Sequence, residues 1–518
     1  MKRFGFYSVI IVGFLIVFLT VLGFSFLGKR GIWEPDEGYY IGAAVNMLGK
    51  GTYLVPRLGE EGEDIFLEKP PMIYWGIMAG LKIFGHNEFG ARAFNAFCYI
   101  LTCLSVGLLG FCVFGRRTDG IASAFIYATM IIPFIASGFV TPDTPLTLWT
   151  TLAAVGFWNS VKPDARRAAV WKIIFCLAVG AGFLAKGPAA FIPCAGMLCF
   201  LIVTRRTGRY LFSPWMFAGL AVFCIVGLSW YIYVSIKVAG AARYFFDNQI
   251  WGRLFSEKYD RNPGMEGALI YLPVIILGSL PWSAIWWEKR NLVRDTFFSK
   301  KWWTNPASSP QVLFLVCLFF VPLCILCLAS SKLGLYALPL FPVLAVATAR
   351  LWGQKMPSVS HQGMAGDIRI FARPAVLISL WIFVLLGVKL GVAHYPTGRD
   401  ARALWKEISD YLPAEDYEIV TVDEQANGLL FYGAREVENV TRRDKPYPTF
   451  AVPGNITAEI DSIVKENENL IFLVKGDYRI SETEKRLERA GITFEKVVLK
   501  NEKTLLICLA QRPKTKNG

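Results

Sequence analysis

The sequence predicts an α-helical polytopic membrane protein with about 11 to 13 spans, followed by a small extracytoplasmic α/β domain. Three observations predict it. Of 518 residues, 54% are hydrophobic and only 18% charged, a composition outside the usual soluble range. Apolar runs of about 20 residues, the length a bilayer crossing needs, recur as far as residue 394. From Tyr395 onward the chain turns charged, and strand-like and helix-like patterns alternate.

The first span is Phe4 to Leu27, after Met1-Lys2-Arg3. A cleaved signal peptide would have a shorter apolar region ending in a small-residue cleavage site, so this segment reads as a retained helix. Further spans read near 89–114, 119–139, 144–161, 169–185, 187–204, 213–236, 267–287, 311–330, 333–352 and 371–394. With the N-terminus inside, alternate loops are basic: Gly115-Arg116-Arg117, Lys162 to Lys172, Arg205 to Arg209, Lys289 to Lys301 and Arg350 to Arg373. The positive-inside rule requires that pattern. Topology and lipid headgroups therefore account for the net charge of +14, and no nucleic-acid partner is implied.

The opposite loops, 28–88, 140–145, 237–266 and 330–336 with the Lys186-Gly187-Pro188 turn, face the extracytoplasmic side and complete a membrane domain of residues 1–394. Residues 395–518 form the α/β domain, with helices at Asp400 to Leu412 and Ser481 to Ala490 and strands at 417–422, 470–475, 493–499 and 504–510. An odd number of spans puts this domain outside as well. It carries no GxGxxG and no P-loop, so no nucleotide chemistry is assigned to it, and its basic tail Arg512 to Lys516 reads as frayed. Ten of the eleven cysteines lie in apolar runs as small buried hydrophobes, leaving only Cys508 in a polar region and no disulfide framework. His86, His361 and His394 are scattered and make no zinc pattern.

The outer loops hold the residues fit for chemistry. Trp33-Glu34-Pro35-Asp36-Glu37-Gly38-Tyr39-Tyr40 opens a helix with acids in its first turn, where the helix dipole favours them. Tyr40, Ala44, Met47 and Leu48 share one face, which suits a helix lying in the interface. A carboxylate there can deprotonate or orient an acceptor hydroxyl; read alone, Asp36-Glu37 is better explained as a helix start with a solvated charge cluster. Glu68-Lys69-Pro70-Pro71 follows, with Lys69 either a phosphate contact or a snorkelling partner of Glu68. Asp143 lies between Pro142 and Pro145 as an N-cap or an intramembrane acid, and Lys186 and Lys332 occupy comparable outer turns. Arg243, Arg253, Lys258 and Arg261 interleave with aromatic residues, which suits an anionic lipid, a sugar phosphate or an interfacial anchor. Topology places Asp36, Lys69, Asp143 and Lys332 on one side by a rule that never used them.

These segments, with Phe183 to Pro188, Tyr271-Leu272-Pro273, Pro281-Trp282 and Ser331-Lys332 to Pro342, stand in an order that resembles the aminoarabinose lipid A transferase and protein mannosyltransferase-like membrane glycosyltransferases of the GT-C fold. The resemblance implies a multi-pass protein of the bacterial inner membrane with an extracytoplasmic active site, in which a sugar leaves a polyprenyl (undecaprenyl) phosphate for lipid A or a related envelope glycolipid. A protein hydroxyl or a surface glycan is the alternative acceptor. A non-enzymatic lipid-linked-sugar carrier or flippase is the reading from another class, and it is disfavoured because the charges cluster at one face rather than at midplane. Carried over by position, Asp36 is the acceptor-activating carboxylate, with Asp143 and Glu37 the other acids of the catalytic group. Lys69, Glu68, Tyr40, Tyr336, Lys332 and Arg253 form the donor-phosphate site, and Glu68 is also the candidate ligand for a divalent metal. Two departures stand out. Tyr39 occupies a place where the aminoarabinose branch usually has Arg, and Gly264 stands where a His partner for a metal is expected.

Overall fold

The computed structural model describes residues 2–58, 64–162, 165–252, 262, 264–299, 305, 308–353, 364–413, 417–442, 450, 454–458, 460–461, 469–500 and 502–509. Arg253, Lys258, Arg261 and the basic tail lie outside them. The first nine helices are α1 (Lys2–Phe24), α2 (Asp36–Gly49), α3 (Met72–Phe84), α4 (Glu88–Phe114), α5 (Arg117–Ala128), α6 (Ile131–Ser137), α7 (Asp143–Val161), α8 (Ala168–Lys186) and α9 (Ile192–Val203). The chain packs as two compact units, Met1–Leu27 with Arg92–Ala393, and Gly28–Ala91 with His394–Gly518. The sequence reading leaves the loop 28–88 with the membrane part; packing groups it with the C-terminal residues instead.

The first unit is a helical bundle. Six helical stretches among the described residues are long and apolar enough to cross a membrane, seven when α5 and α6, bent by 66°, are taken as one. The count is below the eleven spans of the sequence because breaks divide several apolar runs. Residues 267–287, for example, fall into Gly264–Ala268, Tyr271–Gly278 and Ser283–Glu288. Conversely, Ala168–Val203 is one unbroken helical stretch of 36 residues, yet it reverses. Near its start Lys172 Nζ donates to Ser213 Oγ at 2.6 Å, and just past its end Arg206 Nη1 donates to the Val161 carbonyl at 2.7 Å. Both ends therefore lie beside the C-terminal end of α7. The turn is the 3-10 segment Gly187–Phe191, and Gly187 takes φ +60°, ψ −139°, a conformation that a side chain would strain.

Helix α7 measures the bundle. Its 19 residues span roughly 28 Å, close to the hydrocarbon thickness. Asn95 Nδ2 donates to the Thr141 carbonyl at 2.7 Å at one end, and Trp158 Nε1 donates to the Cys112 carbonyl at 2.8 Å at the other. The Val161 end gathers the loops at 115–117, 165–167 and 205–213, and Asp119 pairs there with Arg350 at 3.7 Å. Phe157, Trp158, Phe200 and Phe314 fill the core with ring centroids 5.0 to 6.2 Å apart. Buried hydroxyls bond within the bundle, as Thr147 Oγ1 does to the Asp143 carbonyl at 2.7 Å.

The second unit is built on a six-stranded sheet. Two short strands of the first loop, β1 (Arg57–Leu58) and β2 (Asp64–Ile65), pair by themselves. The sheet comprises β3 (Tyr417–Val422), β4 (Val437–Thr441), β5 (Gly454–Asn455), β6 (Asn469–Lys475), β7 (Glu495–Val498) and β8 (Lys503–Cys508), in the order β5-β4-β3-β6-β8-β7. The first four are parallel and the last two antiparallel. Val420, Phe472 and Leu506 pack on one face with Ile480 and Leu487, while Ile419, Ile471 and Leu505 pack on the other with Leu404 and Leu429. Burial on both faces explains why β3, β6 and β8 read as near-continuous apolar runs. The first loop joins this unit through backbone pairing: Glu34 N–H donates to the Arg399 carbonyl and Ala401 N–H to the Ile32 carbonyl, each at 2.9 Å. His86 stacks on Phe431 at 4.5 Å.

Candidate active site

The candidate residues fall into two groups of side chains, one in each unit. In the bundle, Asp143 opens α7 and is 4% exposed. The Lys186 ammonium, at the last residue of α8, lies 2.5 Å from Asp143 Oδ1 and 4.2 Å from the centre of the Tyr336 ring. The sharp turn after Lys186 aims that cation back at the start of α7. Thr141 Oγ1 donates to Asp143 Oδ2 at 3.1 Å, so both carboxylate oxygens are engaged. Lys332, 2% exposed, has no ion-pair partner among the described residues, and its carbonyl accepts from Asn262 Nδ2 at 3.0 Å. A buried ammonium is costly unless a counter-charge reaches it. All of these lie at the Asp143 end of α7, opposite the basic loops.

In the second unit, neighbouring acids meet different fates. Asp36 is exposed and has no hydrogen-bond partner among the described residues. Glu37, one residue on and 2% exposed, receives Arg30 through two hydrogen bonds of 2.6 and 2.9 Å and the Trp33 N–H at 3.1 Å. Tyr39 stacks on Phe66 at 5.1 Å, which ties α2 to the segment carrying Glu68 and Lys69. Burial, then the Glu68 and Glu34 carboxylates, push the Tyr39 hydroxyl up, so it stays protonated. Lys69 Nζ donates to the Glu68 carbonyl at 3.1 Å and lies 3.9 Å from Glu68 Oε2. Tyr40 packs against Tyr74 at 6.4 Å.

The metal expectation finds no support in the donor set. Among the described residues no three His, Cys, Asp or Glu side chains stand together, the near neighbour of Glu68 is a cation, and Gly264 supplies no side chain. No step is routed through a metal. Sequence reasoning placed Lys186 in an outer turn without a role, although a charge at the end of an apolar helix before Gly-Pro was a usable signal. It assigned nothing to Arg30 or Glu34, whose partners lie in the fold.

A family model described as dolichyl-phosphate-mannose-protein mannosyltransferase matches residues 68–233. The chain is 29% identical over 329 residues to the undecaprenyl phosphate-alpha-4-amino-4-deoxy-L-arabinose arabinosyl transferase of Photorhabdus laumondii, covering 62% of this chain and 56% of that protein. It is 31% identical over 348 residues to the protein of the same name from Pseudomonas savastanoi, covering 66% and 60%. The match thus spans less than two thirds of the length of these relatives. The crystal structure of ArnT from Cupriavidus metallidurans bound to undecaprenyl phosphate superposes with a TM-score of 0.73 at 20% identity, covering 97% of this chain and 99% of that one. Bundle, sheet and site together define a polytopic membrane protein of the GT-C fold. In sequence it is similar to the aminoarabinose transferases named above.

Proposed function

We propose that this protein is an inverting glycosyltransferase that moves a sugar from a polyprenyl phosphate to an extracytoplasmic acceptor, lipid A or a related envelope glycolipid. The observation that carries the reading is the group Asp143, Lys186 and Tyr336 with the buried Lys332, which has no ion-pair partner among the described residues, all at the bundle end away from the basic loops. By the positive-inside rule that end is the extracytoplasmic one, and the membrane is the bacterial inner membrane. The names of the relatives supply the donor class.

In this reading Asp36 takes the proton of the acceptor hydroxyl. The acceptor oxygen attacks the anomeric carbon, the bond from that carbon to the phosphate oxygen breaks, and the lipid phosphate leaves. The phosphate goes from one negative charge in the diester to two in the leaving group, so fixed cations stabilise the transition state more than the ground state. Lys69, Lys186 and Lys332 are assigned to that charge, Tyr336 and Tyr40 to lining the phosphate site, and Asp143 to orienting Lys186 and the sugar. Glu37, with its oxygens held by Arg30 and Trp33, is assigned to shaping the loop rather than to proton transfer.

The test is transfer in proteoliposomes supplied with undecaprenyl phosphate-4-amino-4-deoxy-L-arabinose and lipid A. Asp36→Asn should lower turnover by about 10²- to 10⁴-fold with donor binding intact, and normal turnover would overturn the base assignment. Mass spectrometry of lipid A and surface glycans with and without the gene names sugar and acceptor together. A change confined to protein would replace the glycolipid acceptor.

A further inference from the structure

The parallel part of the sheet runs β5-β4-β3-β6, which places the topological switch point at the carboxyl end of β3, beside β6. In open α/β sheets that crevice is where a ligand sits. Here part of the same chain fills it. The loop after β3, Asp423 to Gly428, meets α2 and Glu34, two residues before it. Gly428 N–H donates to Glu34 Oε1 at 2.5 Å. A methyl group on Gly38 would lie 2.0 Å from Glu34 Oε2, one on Gly428 2.5 Å from Glu34 Oε1, and one on Gly42 2.5 Å from the Asn427 carbonyl. Three glycines therefore allow an approach closer than any side chain would permit. Glu34 is 8% exposed, and its Oε2 is buried without a hydrogen-bond partner among the described residues.

We infer that Glu34 is a positioning residue: the C-terminal sheet uses its ligand crevice to grip Glu34 and α2, and so holds the Asp36 carboxylate in place. The consequence for catalysis rests on the reading of Asp36 as the base; the grip itself does not. Buried, with Oε2 lacking a hydrogen-bond partner among the described residues, the carboxyl sits in the crevice more readily neutral than charged. The charged and titratable groups facing it are Glu37, itself paired with Arg30, and Tyr39 on its own segment, Glu424 after β3, and Lys503 on β8, which pairs with Glu424 at 3.1 Å. Burial dominates and raises the Glu34 carboxyl to about 8, against the Gly428 hydrogen bond and Lys503, which lower it. When α2 opens, Glu34 enters water and recovers an ordinary carboxylate pKa. The closed state thus binds more protons than the open one between about pH 5 and 8, and opening is favoured as pH rises through that window.

Hydrogen exchange of the α2 amides in the full chain in nanodiscs tests this without knowledge of the sugar. In the wild type the opening equilibrium should rise by up to about tenfold per pH unit between about pH 5 and 8 and level off above it. Glu34→Gln, which keeps an acceptor for Gly428 N–H and cannot ionise, should remove that slope and retain more than half of the turnover at pH 7. Glu34→Ala should raise α2 exchange at least tenfold at pH 6 and lower kcat with donor KM unchanged. Gly42→Ala, a second variant should Glu34→Ala misfold, should raise exchange in the same helix. A pH slope that persists in Glu34→Gln, or unchanged α2 exchange in both Glu34→Ala and Gly42→Ala, overturns the inference. If Asp36→Asn keeps full turnover while the exchange results hold, the base assignment fails and the grip on α2 stands.

Discussion

Asp36 and Glu37 are adjacent and chemically alike, yet a helix turns by about 100° per residue, so one faces solvent and the other the interior. Sequence could place both in the first turn of a helix and could not say which was committed elsewhere. Arg30 decides it, seven residues away across an irregular segment that no periodicity describes. Lys332 shows the converse. Its type and outer position were legible, but its lack of an ion-pair partner among the described residues is a tertiary fact, and it carries the sharper prediction. Lys332→Met should weaken binding of undecaprenyl phosphate roughly 10- to 100-fold, the range of one charge-assisted contact. Isothermal titration or a thermal-shift series with that lipid measures it, and unchanged affinity removes Lys332 from the donor site.

Elements were legible in proportion to how much of them is buried. Strands β3, β6 and β8 coincide within a few residues with the apolar runs at 417–422, 470–475 and 504–510, because a strand covered on both faces needs apolar residues nearly throughout; β7, largely exposed, falls within the run at 493–499 without that cause. Strands β4 and β5 were missed: Val-Glu-Asn-Val-Thr carries three polar residues in five, and β5 has only two residues. The charge network at the ends of β3 and β4 was equally hidden. Arg442 bonds Asp423 at 2.7 Å and also Glu482, which accepts from Arg486 at 2.8 Å. Burial alone raises the Asp423 carboxyl, and hydrogen bonds from Thr441 and Arg442 outweigh it, so its pKa lies below the usual range. Its contribution to stability is then full above the ordinary aspartate pKa of about 4 and is lost as pH falls through the depressed value. The thermal midpoint of the C-terminal domain should drop on acidification below about pH 4. In Arg442→Met that acid dependence should flatten, as circular dichroism melts of the purified chain would show; an equally steep drop would leave the network without weight.

At the scale of the whole molecule, the alternation of basic and non-basic loops reads directly as sidedness, and the hydrogen bonds of α7 sort the same loops to its two ends. A cysteine at Arg209 should therefore react with a membrane-impermeant maleimide only after permeabilisation, and one at the exposed Tyr478 in spheroplasts of intact cells. Labelling in the opposite sense would invert the proposed orientation. The sequence by itself determined that the chain is a polytopic helical membrane protein with a small C-terminal sheet region, because both follow from local composition and short-range periodicity. Only tertiary structure decided that Lys186 meets Asp143, that Glu37 is held by Arg30, and that the first loop packs with the C-terminal sheet through Glu34 and Gly428. Those pairings join residues 7, 43 and 394 positions apart. They depend on where the backbone returns, a property of the packed whole that no window of sequence contains.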